Sequence, residues 1–310
     1  MSLRAPTAAI SIDVDALRFY GAIHGLGAQD LEPDPIYTVA LPRFFALLDE
    51  FGLRGTVFFI ASDVERAGRH LTEGLAQTHS ELASHSWSHD YRLTKRSREE
   101  IEADLRRADA ALSAASPDGR VCGFRAPGYN TTPDLLEVVE SLGYRYDSSL
   151  LPAPAYWGAR AGAIGRYRLS GRPSASLVGD LRAFWGPRGP YRMRPEAPWR
   201  PDPQGGLVEI PMAVGAGRVP LIGTSWVLFS ESVRSGLLEG ALNRAEPFVF
   251  EMHAIDLIDG SDGAPPELAA AQPDLRQPAS EKIAAFRALF KTLADAREVC
   301  TLAEIAERAA

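Results

Sequence analysis

The chain has 310 residues, 45% of them hydrophobic and 24% charged, with a formal net charge of −7. That is enough apolar material for a sizeable core without disulfide or metal staples, and one α/β domain of this length is ordinary. The acidic balance, with basic residues scattered rather than run together, argues against a nucleic-acid partner.

The only two cysteines, Cys122 and Cys300, sit in no CxxC or secretory framework, so they read as reduced packing thiols and point to a cytoplasmic protein. The start, Met1 to Pro6, runs directly into a short apolar stretch that ends in aspartates, too brief for a signal peptide or a membrane span. No fixed-period repeat and no low-complexity tract interrupts the chain.

In chain order, Ala8-Ala9-Ile10-Ser11-Ile12 has the composition of a buried parallel strand. Asp13 and Asp15 follow at its C-terminal end. Side chains two apart on a strand share a face, so both carboxylates would meet one cavity, where a cation or an arginine is needed to keep both ionised. The stretch 17–35, rich in glycine and proline, reads as a loop. From Tyr37 to Phe51 the apolar spacing is helical, with Gly52 as the stop, and Thr56 to Ile60 is a second strand. Leu82-Ala83-Ser84 is a third short strand, and it delivers His85-Ser86-Trp87-Ser88-His89. Two imidazoles four residues apart can turn toward one point, and a carboxylate from another strand would complete a three-ligand face open to water and substrate. Two unrelated histidines would show the same spacing.

Ser97 and Glu100 form a capping box for a helix with Ile101, Leu105, Ala108 and Leu112 on one face. A strand at Val121 to Phe124 then presents Arg125-Ala126-Pro127-Gly128-Tyr129. Thr132 and Pro133 start the next helix, Gly143 ends it, and Asp147-Ser148-Ser149 follows. The segment 151–206 breaks the β-then-α rhythm and reads as an irregular insertion carrying Trp157, Trp185 and Trp199, either a binding lid or a surface excursion. Val208 to Ile210 and Phe248 to Met252 resume the strands, the latter ending in His253-Ala254-Ile255-Asp256. Two amphipathic helices close the chain, opened by Ser280 and by Thr301 with Glu304. Polar clusters at successive strand ends predict a barrel of seven or eight βα units with its catalytic face on the βα loops.

Five stretches, Asp13-Val14-Asp15, His85-Ser86-Trp87-Ser88-His89, Arg125-Ala126-Pro127-Gly128-Tyr129, Asp147-Ser148-Ser149 and Met252-His253-Ala254, stand in the order of the five motifs of the polysaccharide deacetylases. The chain thus resembles that family, the NodB-homology group or carbohydrate esterase family 4, whose members hydrolyse N-acyl amides of amino sugars on a distorted (β/α) barrel. The resemblance implies Asp15, His85 and His89 as ligands of one divalent ion, with zinc expected and cobalt, nickel or iron as alternatives. It implies Asp13 as the base that activates water at the metal, Arg125 as the partner of that base, His253 as the general acid, and Asp147 as the residue tuning His253, a role Asp256 could also fill. The chain departs from the pattern where Val14 separates the aspartates and where Gly128 takes the usual aromatic place, leaving Tyr129 one residue later and the backbone donor to an oxyanion unassigned.

These features predict a metal-dependent hydrolase that removes an acetyl or formyl group from an amino sugar, glycan or lipid-linked sugar. The spaced aspartates are also similar to those of deformylases acting on lipid-linked aminoarabinose. A hydrolase of cyclic amides such as allantoin is the alternative within the fold, and a non-catalytic sugar-binding relative is the alternative outside catalysis. Oligomerisation is left open.

Overall fold

The computed structural model describes residues 6–171 and 174–309. Met1–Ala5, on which part of the reading of the N-terminus rests, and residues 172–173 of the insertion lie outside them. Among the described residues nine strands form one curled sheet: β1 (Thr7–Val14), β2 (Thr56–Phe59), β3 (Glu81–Ser84), β4 (Gly123–Phe124), β5 (Tyr146–Asp147), β6 (Tyr191–Met193), β7 (Leu207–Glu209), β8 (Phe248–His253) and β9 (Glu298–Val299). Their order is β6-β7-β5-β4-β3-β2-β1-β8, with β9 added alongside the start of β1. All neighbours are parallel except β6, which runs antiparallel to β7. The residues after β7 span the remaining gap, since Ala213 N–H donates to Val249 O at 2.8 Å and Ile222 bridges Glu251. The sheet therefore curls into a distorted (β/α) barrel.

Period-two alternation divides every strand between two environments. Ala8, Ile10, Ile12 and Val14 of β1, with Phe248, Phe250 and Met252 of β8, face outward into the main core beneath the helices. Ala9, Phe58, Ala83, Tyr146, Val208, Val249 and Cys300 plug the barrel interior. Above this plug the inward positions turn polar, which is where burial would otherwise favour apolar side chains. Cys122 and Cys300 are both free thiols, Cys300 buried and Cys122 half-buried.

The helices follow local signals closely. Ser97 and Glu100 exchange the two bonds of a capping box at the start of Arg98–Ala115, whose Ile101, Leu105, Ala108 and Leu112 are all buried. Thr132 Oγ1 accepts from Leu135 N–H, and Thr301 pairs reciprocally with Glu304. Gly52 and Gly143 take the positive φ of helix stops, 61° and 86°.

Two stretches differ from the sequence reading. Leu17–Ile23, within the expected loop, is a helix; its N-terminus lacks a local cap, but the Asp34 carboxylate reaches back to accept from Leu17 N–H at 3.0 Å. The 151–206 segment is not irregular throughout. Pro154–Leu169 forms a 16-residue helix, and Trp157 anchors it by stacking on Phe184 at 4.9 Å and donating to Leu151 O.

Candidate active site and metal centre

The polar layer gathers residues from four strand ends. Asp13, one residue before the end of β1, is in register with His253 at the end of β8, while Ser11 one layer down is level with Glu251. Asp15, His85, His89, Arg125 and Asp13 are all buried within the barrel mouth, and a cavity of about 340 Å³ opens onto Asp13, Asp15, His85 and His253.

The His85–His89 loop is folded by its own serine. Ser86 Oγ accepts from His89 N–H at 3.0 Å, and both Ser86 and His89 adopt left-handed backbone, with φ of 66° and 51°. Such conformations are uncommon outside glycine and persist where surroundings over-determine them. Here Asp104 supplies the restraint, accepting from Trp87 N–H and Ser88 Oγ. His85 Nδ1 is 2.7 Å from Arg125 O, so that nitrogen donates and Nε2 is left as a lone-pair donor facing the site. Phe19 and Tyr91 flank the His89 ring.

Asp15 lies between the two imidazoles, its oxygens 3.5 Å from His85 Nε2 and 3.5 Å from His89 Nε2. Tetrahedral bonds of about 2.0–2.2 Å would set neighbouring donor atoms roughly 3.4 Å apart, close to this spacing. Asp15 Oδ1 and both nitrogens of His89 are buried without hydrogen-bond partners. Desolvation pushes the Asp15 carboxyl up to about 6 despite the attraction of His85 and His253, and desolvation holds His89 well below its ordinary value, hence neutral. A carboxylate short of positive charge beside neutral imidazoles fits a divalent cation, which needs its ligands deprotonated.

Asp13 has a different environment. Burial would raise its carboxyl, but Arg125, together with His85 and His253, outweighs that and holds it below the usual carboxylate range. Its Oδ1 accepts from Arg125 Nη1, whereas Oδ2 is 3.9 Å from His85 Nε2 and faces the site without a hydrogen bond. Arg125 is wholly buried and each of its guanidinium nitrogens donates: besides Nη1 to Asp13, Nε donates to Ser148 O and Nη2 to the hydroxyls of Ser11 and Ser148, and the guanidinium lies 3.9 Å above the Phe58 ring.

The structure corrects the residue beside His253. Neither Asp147 nor Asp256 touches its ring. Tyr146 points inward, so Asp147 points outward by alternation; it accepts from Ser149 Oγ at 2.6 Å and is paired across the sheet with Glu209. Desolvation raises Asp147 to about 6 and Glu209 well above its ordinary value, as expected of two buried carboxyls sharing a proton. Asp256 Oδ2 caps the following turn by accepting from His253 N–H at 2.9 Å. The ring nitrogen Nδ1 instead lies 2.9 Å from Glu251 Oε1. Period-two spacing puts Glu251 and His253 on one face of β8, and that signal was available in the sequence. Desolvation acts to lower His253, yet the Glu251 carboxylate prevails and raises it well above the ordinary histidine value.

If His253 works as a protonated acid, activity falls as pH rises through that raised pKa. Glu251→Gln removes the stabilising charge, so the fall should move to lower pH by about 1–2 units. A pH–rate profile whose upper limb is the same in Glu251→Gln and the parent would rule out this coupling.

Tyr129 closes the far wall, its hydroxyl 3.5 Å from His253 Nε2. Burial keeps the phenol well above its usual value, so it remains a neutral donor. The Tyr129 backbone N–H is already committed to Ala126 O at 2.9 Å. The helix Pro154–Leu169 forms the roof, with Tyr156, Arg160, Ile164 and Tyr167 on one face, three to four residues apart. Tyr167 is tied to His24 Nδ1 at 2.5 Å, and Gln272 to His24 Nε2 at 2.6 Å, which pins the roof to the helix after β1. No local sequence signal placed this helix over the site. Among the described residues, no helix is long and apolar enough to cross a membrane.

The polysaccharide deacetylase family model matches residues 32–146, which include His85, His89 and Arg125. No curated protein matches the chain in sequence. Among solved structures, a candidate polysaccharide deacetylase from Mycobacterium smegmatis is 17% identical with a TM-score of 0.58, covering 100% of this chain and 92% of that one. A 4-alpha-glucanotransferase from Thermococcus litoralis is 12% identical with a TM-score of 0.55, over 98% of this chain and 40% of that one. A pseudoenzyme of carbohydrate esterase family 4 from Bacillus anthracis is 13% identical with a TM-score of 0.49, over 98% and 66%. At these identities the first two of these neighbours speak to the fold alone. The match of the family model over residues 32–146 makes that stretch similar to the polysaccharide deacetylases, and the fold of the whole chain agrees with that likeness.

Proposed function

We propose that the protein is a metal-dependent amidohydrolase that removes an N-acyl group, acetyl or formyl, from an amino sugar or glycoconjugate. The observation that carries this reading is the opposed pair of titratable groups across one three-donor site. Asp13 is held ionised by Arg125, while His253, level with it on the neighbouring strand, is held protonated by Glu251. Hydrolysis of an amide needs both, a base for the attacking water and an acid for the departing amine.

Asp15, His85 and His89 would hold the divalent ion, with zinc expected from a mixed nitrogen and oxygen donor set. When bound, such an ion supplies Lewis acidity, lowering the pKa of water and polarising the acyl carbonyl. Asp13 Oδ2 takes the proton from the attacking water, since its other oxygen is occupied by Arg125. Arg125 keeps that carboxylate charged and fixed in direction. His253 Nε2 delivers a proton to the amine nitrogen as the C–N bond breaks, with Glu251 stabilising the imidazolium beforehand. The Tyr129 hydroxyl offers a neutral hydrogen bond to the acyl oxygen, in place of the committed backbone N–H.

The test is metal analysis of the purified chain together with amine release from a panel of N-acyl sugars. One ion per chain and turnover of at least one N-acyl sugar are expected. For the ligand set, His89→Ala should weaken metal binding in a chelator competition by about a hundredfold or more, because losing even a residue that only orients a ligand costs 10–100-fold. Parental affinity in that variant would remove His89 from the ligands.

A further inference from the structure

The roof of the cavity carries a cation that no carboxylate pairs with among the described residues. Arg160, on the cavity face of Pro154–Leu169, donates through Nη1 to Gly128 O at 3.1 Å and to the Tyr156 hydroxyl at 3.5 Å, and its guanidinium sits 5.3 Å from the Trp157 ring. Its Nε is buried with no hydrogen-bond partner, and no carboxylate pairs with it among the described residues. Nη2 likewise makes no hydrogen bond among them. Nε and Nη2 form one edge of the planar guanidinium, the edge whose parallel N–H bonds match a carboxylate or phosphate. A buried donor of this kind is costly to leave unmade and inexpensive to satisfy with an anion.

The neighbouring backbone leaves room for this cation. Gly128 has φ of 61°, and a Cβ there would come within 2.8 Å of Arg160 Nη2 and 3.0 Å of the Tyr91 ring. The glycine in the third motif, where the family pattern has an aromatic, is thus what allows the guanidinium to lie at the cavity wall. Tyr91, Gly128 and Arg160 border the same space as Asp13, Asp15 and His253.

We propose that Arg160 is a specificity residue that grips an anionic oxygen group, carboxylate or phosphate, on the substrate. With the function proposed above, on which this inference rests, the substrate class narrows to N-acyl amino sugars that carry a negative charge.

The test measures binding by calorimetry and amine release on the zinc-loaded full chain, with N-acetylglucosamine, its 1-phosphate and N-acetylmuramic acid as probes. The parent should bind at least one charged probe about 10- to 100-fold tighter than the neutral sugar, as a charge-assisted bidentate contact requires. Whichever charged probe gains more identifies the anion. In Arg160→Gln the charged-to-neutral ratio should collapse toward one, and in Arg160→Lys, which keeps the charge but not the two-donor edge, it should fall to an intermediate value. A parent without preference, or an Arg160→Gln protein with the parental ratio, overturns the proposal. Should Arg160→Gln fail to fold, as judged by circular dichroism, Arg160→Lys decides: a parental ratio overturns the proposal and a several-fold smaller one supports it. If no N-acyl sugar is hydrolysed but the ratio and its collapse hold, the amidohydrolase reading fails and the anion site stands. If hydrolysis occurs without charge preference, the anion site fails and the amidohydrolase reading stands.

Discussion

Replacing Asp13 with Asn should lower turnover about 10²- to 10⁴-fold, the range attributed to a positioned general base, equivalent to roughly 3–5 kcal/mol of transition-state stabilisation. The protein should keep its metal. The prediction follows from how the two aspartates divide. Asp15 places an oxygen 3.5 Å from each imidazole donor, whereas the nearer oxygen of Asp13 stands 3.9 Å from His85 Nε2 and the other is held by Arg125. An Asn side chain can still accept from Arg125 through its carbonyl oxygen, so the barrel mouth keeps its shape, but the amide nitrogen presented to the site cannot take a proton. Turnover and metal content measured on the same preparation separate the outcomes. Loss of the ion along with activity would make Asp13 a ligand and send the search for the base elsewhere.

His253→Ala should produce a loss of similar size, but one that depends on the leaving group. An N-acyl sugar departs as an amine, which must be protonated as the bond breaks, so its rate should fall about 10²- to 10⁴-fold. An activated aryl ester loses a stable phenolate unaided, and its rate should fall by about tenfold or less. The pH profile gives a second readout: the upper limb, set in the parent by an imidazole that Glu251 raises well above its ordinary value, should flatten. Equal losses on amide and ester with an unchanged limb would leave His253 as a substrate-binding residue. The Glu251→Gln variant keeps the imidazole and changes only its proton affinity, so together the two separate the acid from the carboxylate behind it.

Much of this protein is legible from short-range pattern because the causes are themselves short-range. Short apolar runs mark β1 and β8, and the Ser97–Glu100 and Thr301–Glu304 boxes open their helices, since each depends on residues close together in the chain. The Ser86–His89 turn belongs to the same class: one hydroxyl within the motif folds it. The ordered polar clusters at strand ends likewise foretold a distorted barrel with those clusters gathered at its mouth, because a parallel strand must hand its last residues to the βα loops.

What the sequence could not decide are contacts between partners far apart along the chain. Leu17–Ile23 is helical because Asp34, beyond two glycines and a proline, returns to cap it, so the local reading of a loop lacked the stabilising group. Asp147 was drawn toward His253 by motif order, yet strand parity turns it outward to Glu209, and among the acids near His253 the packed structure selects Glu251, which parity along β8 had already set on the same face. Arg160 is the extreme case: on its own helix it is one arginine among several, and it becomes a cation at the active-site wall only when tertiary packing lays Pro154–Leu169 across Gly128. Covalent neighbours set conformation, but the field that a charge feels is the sum over everything packed around it, and that sum exists only in the folded chain.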